Sequence, residues 1–386
     1  MDATTEDRHP VAAAAVTPRG RFELSPLTKR RIANFRANPR ALWSLRIFAV
    51  LFVISLFAEL IANDTPLAVS YQGELLFPMV ETYDEAHFGG FEGIVGTDYH
   101  DPFIACLIRT GGNVDGCDAE SFGEGRAEVA AGAEPGWILF PVVPYGHSYV
   151  DRSVATAPSA PDATHWLGTD DQARDVLARI IYGFRLSVLF GFGVTFAAAL
   201  IGIFAGAAQG FFGGWVDLGF QRVEEIWQSM PMLYVILIVS AVLTPNLFVL
   251  FAIFVAFTWT QLTGVVRAEF LRARNFEYVM AARALGVNDW VIMFRHLLPN
   301  AMVATLTLLP FMLTGSIGLL AGLDYLGFGL PPGYPSLGEL ALQGKNYLND
   351  PHLGIAAFLT FAIMLSLMVF VFEGVRDAFD PRKTFR

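Results

Sequence analysis

Apolar runs of membrane length alternate with polar stretches along the whole chain. They fall at residues 42–61, 186–208, 226–243, 247–266, 301–323 and 352–372. A helix needs roughly twenty apolar residues to cross a bilayer, so the pattern predicts six transmembrane helices. The two-residue alternation of a membrane barrel is nowhere sustained. The expected fold class is therefore an all-α polytopic membrane protein, with a large polar region after the first span.

Composition agrees. Hydrophobic residues make up 54% of the chain, phenylalanine alone supplies 34 positions, and charged residues reach only 16%, against roughly 25% in soluble domains. The formal net charge of −10 is unevenly spread. Residues 1–41 form a basic tail, with eight Arg or Lys against four acids up to Arg40. Excess positive charge beside a span marks the cytoplasmic side, although such a cluster also suits a lipid-binding patch. The span that follows, allotted residues 42–62, lies behind a tail too long for a signal peptide's charged region, so it reads as a retained anchor.

Residues 63–165 carry sixteen Asp or Glu but only three Arg, so this acidic region is expected on the opposite, periplasmic side. Its two cysteines, Cys106 and Cys117, have ten residues between them. That compartment is oxidising, and both a disulfide and two free thiols remain open. His87, His100, His147 and His165 show no metal-ligand spacing and read as loop residues. The acidity suits steering toward a soluble partner, and a solvated cap is equally open.

Residues 166–185 place Val176, Leu177, Ile180 and Ile181 on one stripe at helical spacing, with Thr169 or Asp170 as cap. The expectation is an amphipathic segment at the membrane interface. Residues 186–373 then form a five-span core. In the second span and just beyond it, Gly202, Gly206, Gly210 and Gly214 recur every four residues, a spacing that lets helix backbones approach closely; packing within the bundle is expected. Thr258, Thr260, Gln261 and Thr263 are expected to bond a neighbouring helix, with a polar path as the alternative. Asp324, at a membrane edge, is expected to face water.

Residues 276–300 read FEYVMAARALGVNDWVIMFRHLLPN, a charged loop between two apolar runs. Its first part is rich in helix formers. Gly286 fits a helix C′ position, Asn288 or Asp289 a second cap, and Pro299 a helix boundary. A helix, a turn and a helix are expected outside the membrane, within a polar stretch covering residues 267–299. Arg267, Arg272, Arg274, Arg283 and Arg295 put this stretch on the cytoplasmic side, as they do the tail at residues 374–386.

The frame Ala281-Ala282, Gly286 and Leu298-Pro299 resembles the coupling loop of ABC importer permeases. Met280 stands where the family has Glu, and His296 where it has an apolar residue. Residues 165–186, HWLGTDDQARDVLARIIYGFRL, resemble the family's LGTD–GRD stretch, with Ala173 in place of the family glycine. The GGW-D segment after the second span and residues 323–345 are also similar to family segments. The run from FRANPRALWSLRIF to YQGELLFP resembles the microcin C-type branch of the dipeptide and oligopeptide importers. The resemblance spans residues 35–381.

It implies a type I importer permease fold in the bacterial inner membrane, both termini cytoplasmic, that carries peptides or peptide-like compounds. It also implies a second homologous permease subunit as heterodimeric partner, two cytoplasmic ATP-binding subunits docked on the loop, and a periplasmic solute-binding protein; membrane lipid surrounds the spans. No phosphate-binding loop is present; the nearest approach, Gly338 to Gly344-Lys345, has the wrong spacing and ends in Asn346. ATP hydrolysis is therefore expected on other chains. No charged residue falls in mid-span, which argues against an ion-coupled secondary carrier, the main alternative together with a self-sufficient channel. No nucleophile–base motif points to an intramembrane enzyme. No catalytic residue, cofactor, metal or nucleic-acid partner is expected.

Overall fold

A computed structural model describes residues 26–114, 117, 134–243, 246–331 and 333–379. Two helices open it, α1 (Pro26–Ala37) and α2 (Pro39–Leu56). Between them the Asn38 side chain accepts the Ala41 N–H at 3.3 Å, and Pro39 takes the first helical position, where its missing N–H costs nothing. The helix is interrupted at Phe57, and one further turn, α3 (Ala58–Ile61), completes the first span.

The acidic region is more ordered than its sequence suggests. Strands β1 (Ala68–Tyr71), β2 (Glu74–Leu76) and β3 (Trp137–Leu139) form an antiparallel sheet in the order β2-β1-β3, with Val69 opposite both Leu76 and Ile138. Helix α4 (Pro102–Thr110), capped by Asp101, packs Ile104, Leu107 and Ile108 against Val69 and Phe88. Cys106 and Cys117 are joined by a disulfide with Cα atoms 5.8 Å apart. Residues 118–133 lie outside the described residues.

Helix α5 (Val176–Phe212) runs for 37 residues, about 55 Å at 1.5 Å per residue. It absorbs the second half, residues 176–185, of the segment expected to lie flat at the interface. The reason is charge pairing. Arg174 Nε lies 2.7 Å from Asp170 Oδ2, Arg174 Nη2 lies 3.1 Å from Glu339 Oε1, and Arg179 Nη2 donates to Glu339 Oε2 at 2.6 Å. Arg179 is fully buried, with Nε 3.5 Å from Asp170. The charges of this polar face are paired inside the fold, while Arg179 Nε and Nη1 make no hydrogen bond among the described residues. The cap of α5 is Asp175, which accepts the Ala178 N–H at 2.8 Å, and not Thr169 or Asp170. Asp170 instead closes the preceding turn, taking the Gln172 and Arg174 N–H groups. That turn passes through Ala173 at φ +59°, a left-handed value that glycine adopts without strain.

His165 is also not an ordinary loop residue. It is buried, with Nδ1 2.9 Å from Asp175 and Nε2 3.1 Å from Asp151, and its ring stacks on Tyr145. Burial alone lowers its pKa, but the bonds to Asp175 and Asp151 outweigh burial and hold it above the usual value. Burial likewise raises the pKa of Asp151, yet its bonds from Ser153 and His165 leave it below the usual value.

The third span is a bent pair. Helices α6 (Gly214–Gln228) and α7 (Met232–Val242) meet at 66°, so the polar connection expected before Ile226 is helical. Thr244 and Pro245 of the expected outer turn lie outside the described residues. Helices α8 (Leu247–Thr258) and α9 (Thr260–Ala273) form the fourth span, a single 27-residue stretch in which Trp259 between them keeps helical dihedrals. Then come α10 (Glu277–Ala284), α11 (Asp289–Val291), a π-helical segment (Ile292–Leu297) and α12 (Leu298–Tyr325). Helices α13 (Leu337–Asn346) and α14 (Pro351–Phe379) follow. Among the described residues five stretches are long and apolar enough to cross a membrane, and the bent pair, taken as one span, makes six, the number the hydropathy pattern predicts.

Glycines bring α5 against α9. A Cβ at Gly202 would stand 2.5 Å from Trp259 O, at Gly206 2.6 Å from Thr263 O, and at Gly210 2.6 Å from Arg267 O. The stripe therefore packs within the bundle. Gly214, with no described atom within 4 Å of such a Cβ, does not belong to it. Thr260 and Thr263 bond back to Phe257 O and Trp259 O of their own span and not to a neighbouring helix. Asp324, expected at the water boundary, is buried; it accepts the Leu330 N–H at 2.7 Å and the Ser336 hydroxyl at 2.5 Å. Ser336 in turn caps α13 through the Gly338 and Glu339 N–H groups.

Two predictions follow from the turn before α5. Ala173→Gly removes a left-handed alanine and is expected to stabilise the protein by about 1 kcal/mol, read as a rise in thermal midpoint; an unchanged or lower midpoint counts against it. The His165 clasp contributes fully below the unfolded histidine pKa, about 6.5, and its contribution is lost as pH rises through the higher folded value. The depressed Asp151 adds stability above about 3.8 that is lost as pH falls through its folded value. His165→Gln should flatten the fall in thermal midpoint between about pH 6 and pH 9; equal slopes in both proteins would contradict this.

Candidate functional site

The candidate site is the loop between the fourth and fifth spans. Helix α10 starts after Phe276, with Glu277 in its first turn and Arg283 in its last, the charge order that suits a helix dipole. It ends in a Schellman closure. The Leu285 N–H donates to Ala281 O at 3.0 Å, the Gly286 N–H to Arg283 O at 2.9 Å, and the Val287 N–H to Ala282 O at 3.1 Å. Gly286 has φ +74°, the left-handed value this closure requires. The spacing Ala-Ala-x3-Gly is thus the spacing of the closure itself. Ala282 and Val287, its two apolar partners, both pack against the bundle core with Phe211, Val279 and Ile292.

After the turn the Asn288 side chain accepts the Trp290 N–H at 2.9 Å and starts α11. The sequence suggests a separate second helix bounded by Pro299. The structure instead continues it into the fifth span, so residues from Asp289 to Tyr325 form one 37-residue unit. The π segment makes this possible. Leu298 N–H bonds Met293 O, five residues back, one residue before Pro299, which has no N–H to give. The register change falls where proline would otherwise break the ladder. Asn300 Nδ2 reaches the Tyr278 hydroxyl at 3.3 Å and His296 O at 3.4 Å, tying α10 to α12.

The predicted site residues divide into two groups. Ala282 and Leu298 are half-buried against the core, while Ala281, Gly286 and Pro299 are exposed. At the apex Leu285 is 83% exposed, and Met280 and Trp290 are more than half exposed. Sequence reading passed over Leu285; an apolar residue directly before a C′ glycine, with no partner at helical spacing, was the available signal. It also passed over the bracing. The Arg283 guanidinium sits 4.8 Å above the Phe211 ring, Trp290 stacks on Phe294, and Phe294 meets Phe204. Beside the loop, Arg267 grips Asp217 with two bonds, 2.6 and 2.8 Å, and Gln209 Nε2 donates to Glu224 at 2.6 Å. These pairs fix α6 to α9 and α5.

Such an arrangement performs no bond chemistry. Among the described residues, no group of three or more His, Cys, Asp or Glu is placed to hold a metal ion. It offers a rigid, apolar-tipped knob that is continuous with a membrane span.

Gly286→Ala adds a methyl with open space around it but forces a left-handed alanine, a cost of about 1–2 kcal/mol. Amide exchange across residues 277–288 should quicken by roughly five- to thirtyfold at that cost. Unchanged exchange there would show that the closure does not depend on this glycine.

Residues 180–385 match the family described as binding-protein-dependent transport system inner membrane component. The peptidoglycan transport system permease protein YejE of Agrobacterium fabrum is 53% identical, over 94% of this chain and 95% of that protein. The inner membrane ABC transporter permease protein YejE of Escherichia coli is 50% identical, over 93% of this chain and 98% of that protein. The dipeptide transport system permease protein DppC of Bacillus subtilis is 30% identical, over 61% of this chain and 74% of that protein. With helices long enough for six spans and these matches, the chain belongs to the binding-protein-dependent transport system inner membrane components, as a multi-pass permease of the ABC importer class.

Proposed function

We propose that this chain is the permease subunit through which an importer passes peptides or peptide-bearing compounds across the bacterial inner membrane. Both termini and the loop at 267–299 lie on the cytoplasmic side in this reading, as their arginines favour. A second, homologous permease completes the pathway, two ATP-binding subunits dock below, and a binding protein delivers solute to the folded acidic module at residues 63–165. Relatives named for peptidoglycan and dipeptide transport support the peptide class. Microcin C-type peptide–nucleotides are the narrower reading, carried by the resemblance around the first span.

The observation that carries this reading is the knob. Ala281, Ala282 and Gly286 shape its turn, Leu285 is its tip, and Leu298 and Pro299 join it to α12. A groove on an ATP-binding subunit would cover the exposed Leu285, Met280 and Trp290. Movement of that groove would be passed to α12 because α11, the π segment and α12 are one unit. At its far end α12 holds Leu330 and Ser336 through Asp324, and α13 holds α5 through Glu339. Nucleotide state would thus bias two arrangements of the bundle.

Gly286→Trp, or Leu285→Asp, is expected to leave membrane insertion intact, lower peptide uptake at least tenfold and weaken co-purification of the ATP-binding subunits. Uptake at the wild-type rate in either variant would remove the coupling role.

A further inference from the structure

Helix α1 stands at the edge of the membrane, and packing sets its depth. In α14 the apolar run at 352–372 is long enough to cross the hydrocarbon layer. The two turns that follow carry Glu373, Arg376 and Asp377 and end at Phe379, so they stand among headgroups. Helix α1 is fixed to these turns. A Cβ at Gly374 would overlap Ala41 Cβ and stand 3.1 Å from the Phe35 ring, so this glycine admits the corner between α1 and α2. One turn earlier on α1, the Arg31 guanidinium lies 4.3 Å above the Phe379 ring. Between α1 and α2 the backbone of Asn38 is extended, so α1 is a separate helix and not a longer span.

With that face committed, α1 turns its charge away from the bundle. From Pro26 to Ala58 the sequence holds six cations, Lys29, Arg30, Arg31, Arg36, Arg40 and Arg46, and no acid. Lys29, Arg30, Arg36 and Arg40 are exposed and make no ion pair or side-chain hydrogen bond among the described residues. The contrast with the rest of the chain is direct. Arg174, Arg179, Arg185 and Arg267 each reach a carboxylate of this chain. Of the acids on α14, Asp377 is buried, with Arg376 at 3.9 Å, and neither it nor Glu373 pairs with α1. Just inside the corner Trp43 is 58% exposed, with the Arg46 guanidinium 5.0 Å over its ring. Tryptophan favours the headgroup level, and helical side chains lean toward the N-terminus, which carries Arg46 back toward α1.

We propose that α1 and the first turn of α2 form a binding surface for anionic phospholipid, with Lys29, Arg30, Arg36 and Arg40 on the headgroup phosphates. This goes beyond the permease reading and does not depend on it. A guanidinium forms charge-assisted hydrogen bonds with phosphate oxygens, and four or more cations directly beside a span draw anionic lipid. Charge complementarity and depth favour lipid over an acidic protein face: the phosphates already lie at the level where α14 holds α1. Lipid bound there would brace the ends of the first and last spans, because α1 touches both.

The test uses the full-length chain, purified with the subunits that accompany it, in nanodiscs. Both native cysteines are in the disulfide, so Ala33→Cys on the exposed face of α1 takes a single bimane label. Phosphatidylglycerol brominated high on its acyl chains, diluted into phosphatidylcholine, should half-quench the label at about one-tenth the mole fraction that brominated phosphatidylcholine needs. Raising salt from about 0.05 M to 0.5 M should shrink the preference, as screening requires. The combined change Lys29→Gln, Arg30→Gln, Arg36→Gln and Arg40→Gln should bring it within about twofold. Lys29→Arg with Arg36→Lys and Arg40→Lys, which keeps every charge, should retain it. Equal quenching by the two lipids overturns the proposal, and so does a preference that survives loss of the four cations. Quenching that appears only after the accompanying subunits are stripped away would show that an acidic protein face covers α1, and overturns it as well.

Discussion

The contact between α5 and α9 is the constraint on which the other positions depend. Three hydrogens in place of side chains, at Gly202, Gly206 and Gly210, let the backbone of one helix rest on that of the other. Any larger residue would push α9 outward. Because α9 carries Arg267, it also sets α6 through Asp217. Because α9 leads into α10, it sets the height of the loop above the bundle. In lipid, where burial of apolar surface gives little drive for helix association, such close packing is a main source of cohesion. The polar ties at Asp217–Arg267 and Gln209–Glu224 then act near the helix ends.

Much of this was legible in the sequence. Twenty-residue apolar runs gave the spans. The turn that ends α10 was readable because the Schellman closure requires fixed spacing between Ala281, Ala282 and Gly286. What stayed hidden depended on partners distant in sequence. Arg179 looked like a surface residue since its neutralising group, Glu339, lies 160 residues away. His165 looked like one of four scattered histidines, and only the fold sets it between Asp151 and Asp175. The disulfide was open because spacing does not give a Cα separation. The bend at 229–231 was open for a different reason: a lone proline, Pro231, suits the start of a helix as well as an interruption.

The two glycine-bearing faces show why residue type alone does not decide a role. Gly202, Gly206 and Gly210 follow a four-residue rhythm, and so, nearly, do Gly315, Gly318 and Gly322. One set is occupied by a neighbour, while a Cβ at any member of the other would meet no described atom within 4 Å. A sequence scan assigns both to packing, and only the first set packs within this chain.

The continuity of α11, the π segment and α12 bears on how force would reach the pathway. A helix unit of 37 residues transmits a push along its axis better than a hinged one, and α12 lacks a hinge where one might be expected. Pro310 lies inside it, yet Thr314 returns its hydroxyl to Pro310 O at 3.0 Å and Ser316 to Met312 O at 2.8 Å, adding side-chain bonds along the turns that follow the proline. The third span is built the other way, bent by 66° between α6 and α7. Where a stiff rod lies beside a bent helix, displacement of the rod is taken up at the bend.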